Sequence, residues 1–422
     1  PSDMALFLEH PRVLGLAEMM NFPGVIMMDE DILSKIKIFK NKIIDGHAPG
    51  LSGKELNAYK IAGIGSDHEC CSLEEAREKL DIGMRIMIRE GSAAKNLDSL
   101  LPLVNPHNSR NTILVVDDLH PDDILNKGHL NYLLKKVRAH GLDPITAVQM
   151  VTINPATYFG LKDIGAILPG YRADLVILEN LETFDVKSVY YAGQQVSEGS
   201  QFLADSADCA VSKLPLSFNV LWNNISDFKV FSEGPYVNVI NVIPGQIVTK
   251  RTFEKTPNLD GLLIPDVERD LLKIAVIERH RGSGSFAVGV IKGFGLKNGA
   301  IASSVAHDSH NIIVVGASDA DMLAAAKAVS EMGGGLAVVA SGQILASLPL
   351  KIGGLMSDLP IAEVTTSLSR LENAAKNLGC VLETPFATLS FMALTPIPEI
   401  KITDQGLFDS TNFRFISLFE TP

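Results

Sequence analysis

Glu18, His47, His68, Glu90 and Asp117 follow one another at intervals of 29, 21, 22 and 27 residues. Imidazoles and carboxylates are the side chains that hold divalent ions and move protons beside them, and together they support metal-assisted hydrolysis. The intervals approach the ~30 residues that one βα unit occupies in an eight-fold parallel barrel. Each polar group also closes a short apolar run, at 13–16, 42–44, 61–64, 84–88 and 113–116. Buried parallel strands read this way, and their C-terminal ends are where such barrels carry catalytic groups.

Helix signals fill the gaps between the runs. Ser72-Leu73-Glu74-Glu75 is a capping box opening a helix through about residue 80, and Pro121-Asp122-Asp123 starts another running toward His140-Gly141. A third begins near Asp143-Pro144 and carries Ala147, Val148 and Val151 on one face before Pro155 interrupts the pattern.

Composition bounds the function. The 422 residues are 46% apolar and 20% charged, with a mean hydropathy of +0.19, which describes a globular chain of two or three domains. A formal charge of −12 argues against nucleic acid or an anionic membrane surface as partner and leaves small molecules. Cys70, Cys71, Cys209 and Cys380 show no CxxC spacing, so reduced thiols and a cytoplasmic location are expected. No apolar stretch reaches the ~18 residues of a membrane span.

The strings Gly15-Leu16-Ala17-Glu18-Met19-Met20-Asn21-Phe22-Pro23, Asp45-Gly46-His47-Ala48-Pro49-Gly50-Leu51, Ser66-Asp67-His68-Glu69, Ile88-Arg89-Glu90-Gly91-Ser92 and Asp117-Asp118-Leu119-His120-Pro121 together resemble the bacterial adenine deaminases of the amidohydrolase superfamily. The resemblance continues through Asn154-Pro155-Ala156 and the passage 165–176. It extends to Ala302-Ser303-Ser304-Val305-Ala306-His307-Asp308-Ser309-His310-Asn311, which is similar to that family's extra C-terminal domain. Two departures stand out: no His-x-His pair is present, and Val116 stands where a threonine is expected before the acid.

The resemblance implies an α/β fold: part of a (β/α)8 metallo-hydrolase barrel over 1–165, without its N-terminal strands, then a small β-domain over 166–205 and a C-terminal α+β domain over 206–422. It implies a divalent metal, binuclear, Mn2+ or Fe2+ with Zn2+ as a further option, held by Glu18, His47, His68 and Asp117. Glu18, Asp117 and Glu69 are the expected catalytic groups. Arg89, Glu90, Ser92 and His120 are expected to contact adenine, and Asp118 to be structural. His307, Asp308 and His310 are candidates for a lid over the site. The small-molecule substrate is adenine, and a homo-oligomer, a dimer, is expected.

Residues 175–178 and 189–191 read as two strands of the small β-domain, whose other strands would come from upstream. Beyond 210, strands at 274–277, 286–291 and 311–315 alternate with a helix over 319–332 that Gly333-Gly334-Gly335 ends. Gly282-Ser283-Gly284 reads as a turn. Two further readings stay open: another amidohydrolase opening a cyclic amide or imide, and a non-catalytic binding protein of the same superfamily. Counting ligands gives one prediction. On that count residues 1–422 alone offer two imidazoles and two carboxylates, enough for one ion, so metal analysis is expected to find less than two equivalents, with deamination weaker than in a chain that also carries a His-x-His strand. Addition of an upstream His-x-His strand should raise both.

Overall fold

The computed structural model describes residues 1–92, 94–203 and 218–420. The chain divides into two compact units, Pro1–Cys209 and Ala210–Pro422. Cys209 and the expected boundary at 205/206 lie outside the described residues. No helix among the described residues is long and apolar enough to cross a membrane.

The first unit is built on five short parallel strands: β1 Gly15–Met19, β2 Ile43–Gly46, β3 Ser66–Asp67, β4 Arg85–Arg89 and β5 Thr112–Val115. β1 pairs with β2, while β3, β4 and β5 form a second ladder. The Gly65 amide donates to the Ile44 carbonyl at 2.9 Å and ties the start of β3 to β2. Ile86, Ile88 and Leu114 sit in one core, Leu16, Ile44 and Ile64 in another.

Between the strands run α1 Glu30–Ile38, α2 Gly53–Ile61 and α3 Leu73–Asp81. The capping box at 72 forms as expected, with the Ser72 hydroxyl accepting the Glu75 amide. The third apolar run does not become a strand. Ile61 closes α2 and is 84% exposed, Gly63 turns the chain at φ +109, and β3 starts only at Ser66. A strand of two polar residues leaves no apolar run to read, which is why the expectation fell on the helix end beside it.

The helix expected from 121 toward 140 is two, α4 Pro121–Asn126 and α5 Leu130–Ala139. Gly128 takes φ +108 between them, a conformation that breaks the helix and suits glycine. The third divides likewise into α6 Pro144–Val151 and α7 Ile153–Tyr158, with Pro155 in the first turn of α7, where its missing N–H goes unused. The small sheet holds four antiparallel strands from this chain, not two: β6 Leu175–Leu178, β7 Val186–Tyr191, β8 Gln194–Glu198 and β9 Gln201–Phe202. β8 is largely polar and carries no apolar alternation to announce it.

The second unit centres on an eight-stranded sheet that is antiparallel except where Tyr236–Val242 pairs with Phe286–Lys292. Its Leu272–Ile277 strand is buried at every position, as a strand covered on both faces must be. Helix Asp319–Glu331 packs its Met322, Ala325 and Val329 into the core with Ala275, Ile277 and Val314. Met332 caps this helix, and glycines 333–335 all take positive φ beyond it.

One buried interaction fixes the loops that follow β2 and β3. Lys79 on α3 is fully buried, and its three donors go to Asp67 Oδ2 at 2.6 Å, Glu75 Oε1 at 2.7 Å and the Ala48 carbonyl at 2.7 Å. Asp67 also accepts the Ala48 amide at 3.0 Å and the Cys70 thiol at 3.2 Å. Burial would raise the Asp67 pKa, but the Lys79 charge beside it wins and holds it well below the carboxylate range. Burial would lower Lys79, and Asp67 raises it instead. Each charge thus depends on the other, and removing one should cost about 3–5 kcal/mol. Lys79→Met is expected to destabilise the first unit by that amount in denaturant titration. A lowered acid contributes stability above its ordinary pKa, and a raised base below its own. In the unsubstituted chain the pair's contribution should therefore be flat between about pH 3.8 and 10.5, fading on the acid side as Asp67 protonates and on the alkaline side as Lys79 loses its proton.

Candidate metal centre

Glu18 lies within β1, and His47 and His68 follow β2 and β3 directly. Glu18 Oε1 stands 3.2 Å from His47 Nδ1, and its Oε2 stands 3.1 Å from His68 Nε2. Ligand atoms of these three residues all lie within 4.8 Å of one another. A second such group, His68, Glu69 and Asp117, shares His68. Glu69 Oε1 is 3.5 Å from His68 Nε2 and 3.7 Å from His47 Nδ1. Four strand ends therefore bring Glu18, His47, His68, Glu69 and Asp117 together.

The donor set fits a cation. His47 is 2% exposed, yet among the described residues neither ring nitrogen makes a hydrogen bond of acceptable geometry. The Glu18 contact at Nδ1 is close but out of line for N–H donation, so it acts as a charge contact. An imidazole buried in this way lacks a partner that a metal ion would supply. Burial alone would lower the His47 pKa, but Glu18 and Glu69 outweigh it and raise it. The carboxylates around the ring thus favour positive charge there. Glu18 behaves inversely: burial pushes it up, and the two imidazoles more than compensate, leaving it lowered.

Arg89, expected to contact adenine, ends β4 with its guanidinium turned to two carboxylates. It grips both Glu69 oxygens, Nη2 to Oε2 at 3.1 Å, and Nη1 also reaches Asp117 Oδ2 at 2.5 Å. The Nη atoms of the planar fork thus hold the two acids in place. Asp117 sits two residues beyond β5 at φ +53, with its side chain 44% exposed. Burial tends to raise its pKa, and Arg89 lowers it.

Glu90, Ser92 and His120 form a neighbouring group. Glu90 pairs with Lys136 on α5 at 2.6 Å, while its other oxygen makes no hydrogen bond among the described residues. It lines a pocket with Gly91, Lys95, Leu119, Asp123, Lys127, Gly128 and Tyr132. The Ser92 hydroxyl donates to Asp123 and accepts the His120 amide at 2.9 Å, so it is occupied within the protein. Asp118 stands against Gly91, where an added Cβ would meet its Oδ1 at 1.6 Å. His307, Asp308 and His310 belong to the second unit. There His307 stacks on Phe391 with ring centroids 4.7 Å apart, and burial, helped by the His307 charge, pushes His310 down to about 4.

Several residues of the site gave no sequence signal of their role. Asp45 accepts the Ser66 hydroxyl at 2.8 Å and the Tyr158 hydroxyl at 2.7 Å, fixing the strand end that presents His47. Tyr158 lies 113 residues further on, beyond the reach of any local spacing. Asp67 and Tyr59 are in the same position; the one stood inside a quoted string without a role, the other on an ordinary helix.

The amidohydrolase family model matches residues 92–196, and the model of the adenine deaminase C-terminal domain matches 246–414. The adenine deaminase of Desulfatibacillum aliphaticivorans is 50% identical over 420 residues, covering 99% of this chain and 74% of that protein. Those of Dehalococcoides mccartyi (strain 195) and Kosmotoga olearia are 48% and 47% identical, over 98% and 99% of this chain and 73% of each relative. With near-complete coverage at such identity, and with matches on both units, this chain belongs to the adenine deaminase family of amidohydrolases.

Proposed function

We infer that this chain hydrolyses adenine to hypoxanthine and ammonia. The observation that carries the reading is the convergence of Glu18, His47 and His68 with the Arg89-bound pair Glu69 and Asp117, in a chain whose relatives are adenine deaminases. Glu18, His47 and His68 would hold one divalent ion, Mn2+ or Fe2+ with Zn2+ also compatible; a binuclear centre would add Asp117 and further imidazoles, because His68 can serve only one ion through its facing nitrogen. Such an ion supplies acidified water at neutral pH and charge stabilisation of the transition state. The five strands are read as consecutive units of a (β/α)8 barrel, followed by the small β-domain and the C-terminal α+β domain.

The protein's own groups then handle protons. Asp117 is ionised and accessible, and its free carboxylate oxygen takes a proton from the water that adds to C6 of adenine. Glu18, also ionised, sits between the two imidazoles and carries one of the two protons given up by the water to N1 as C6 is attacked. The other water proton, taken up by Asp117, is delivered to the exocyclic nitrogen, the C6–N6 bond breaks, and ammonia leaves while the oxygen stays on the ring. Glu69, locked by Arg89, keeps the imidazoles oriented. The His120 imidazole is assigned to the purine edge.

Asp117→Asn keeps the shape of the residue and loses the base. Its kcat for adenine, followed by ammonia release, should fall about 10²–10⁴-fold with the circular dichroism spectrum unchanged. A drop of only a few-fold would remove Asp117 from the mechanism. The enzyme should also release ammonia from adenine and not from adenosine, since the resemblance is to enzymes acting on the free base; equal turnover of the nucleoside would refute this specificity.

A further inference from the structure

The β1–β2 ladder is irregular where it matters most. Gly15 pairs with Ile43 and Leu16 with Ile44, but the register shifts before Met19 meets Gly46. Glu18 lies in that interval. Such an irregularity re-aims a side chain and removes the regular backbone bonds that would otherwise set its position. Something else must fix Glu18 relative to His47.

Tyr59 on α2 reaches both segments. Its ring is fully buried in the core with Leu16, Ile44, Leu56 and Ile64. Its hydroxyl donates to the Met19 carbonyl at 2.5 Å and accepts the His47 amide at 3.0 Å. One bond therefore ends beside Glu18 and the other on the backbone of His47. A phenol has a single proton, and with it committed to Met19 the oxygen lone pairs face His47. The tight approach also explains the glycine of Asp45-Gly46-His47: a Cβ there would stand 3.0 Å from the Tyr59 oxygen and 2.2 Å from the Ser66 carbonyl.

We propose that Tyr59 is a positioning residue of the metal centre, its hydroxyl standing in for the ladder bonds lost at the β1 irregularity and setting the separation of Glu18 from His47. The inference rests on reading Glu18, His47 and His68 as metal ligands. Outer groups that orient ligands typically contribute about 10–100-fold to metal affinity.

The test compares Tyr59→Phe with Leu56→Ala in the 422-residue chain. Both remove buried atoms from the same helix and core, but Leu56→Ala leaves the two hydroxyl bonds intact. Zn2+ affinity is measured by competition with a chelator on protein shown to be folded by circular dichroism, and kcat and KM for adenine are measured at saturating metal. Tyr59→Phe should weaken Zn2+ about 10-fold or more and lower kcat with KM for adenine little changed, whereas Leu56→Ala should lower the melting temperature and leave Zn2+ affinity at the parent value. Parental Zn2+ affinity in Tyr59→Phe, or equal weakening in both variants, would overturn the proposal. A parent chain that binds no Zn2+ would overturn the metal reading itself, and this inference with it.

Discussion

Concentrated negative charge is the constraint around which the first unit is organised. Glu18, Glu69 and Asp117 crowd two imidazoles, and carboxylates this close favour protonation of one another unless cations intervene. Arg89 answers part of that demand by binding Glu69 and Asp117 with one guanidinium. Its charge lowers the Asp117 pKa, and the positions of the two acids become linked across two strand ends. The remaining excess falls on His47 and His68, where the geometry leaves ligand atoms converging on one space. β4 matters to the site chiefly because it delivers this arginine.

The second unit applies the same logic to a turn. Glu278 accepts the amides of His280, Arg281 and Ser283 together with the Ser283 hydroxyl. Burial opposes its ionisation, but these donors prevail and bring it down to about 2. The carboxylate organises the loop that leads into Gly282-Ser283-Gly284, whose outer glycines take φ +64 and +72. A glycine-rich string that could be taken for a phosphate loop is thus a turn closed from within by its own acid.

What the sequence made legible followed from periodicity. Strand ends recur at the length of a βα unit, so Glu18, His47, His68 and Asp117 could be picked out and are brought together. What it concealed depended on direction and on distance along the chain. Glu75 and Lys79 have the i,i+4 spacing of a solvent-facing pair on a helix, yet Lys79 points inward and is fully buried. Nothing local to Arg89 shows that its two Nη atoms meet Glu69 and Asp117. Strands β3 and β8 are too short or too polar to leave an apolar signature, and Tyr158 meets Asp45 only through the fold.

Lys79 has a further effect on the fate of an arriving ion. Asp67, Cys70 and Glu75 present ligand atoms within 4.8 Å of one another, two carboxylates and a thiol that could together hold a cation. The ammonium of Lys79 already sits against Asp67 and Glu75, and the Cys70 thiol is kept protonated, its pKa driven up by burial and by the Asp67 charge. The trap next to His68 is plugged by the protein's own cation. The imidazole-bearing group at the strand ends has no such lysine among its ligand atoms, and the difference between the two groups comes from a side chain that touches neither His47 nor His68.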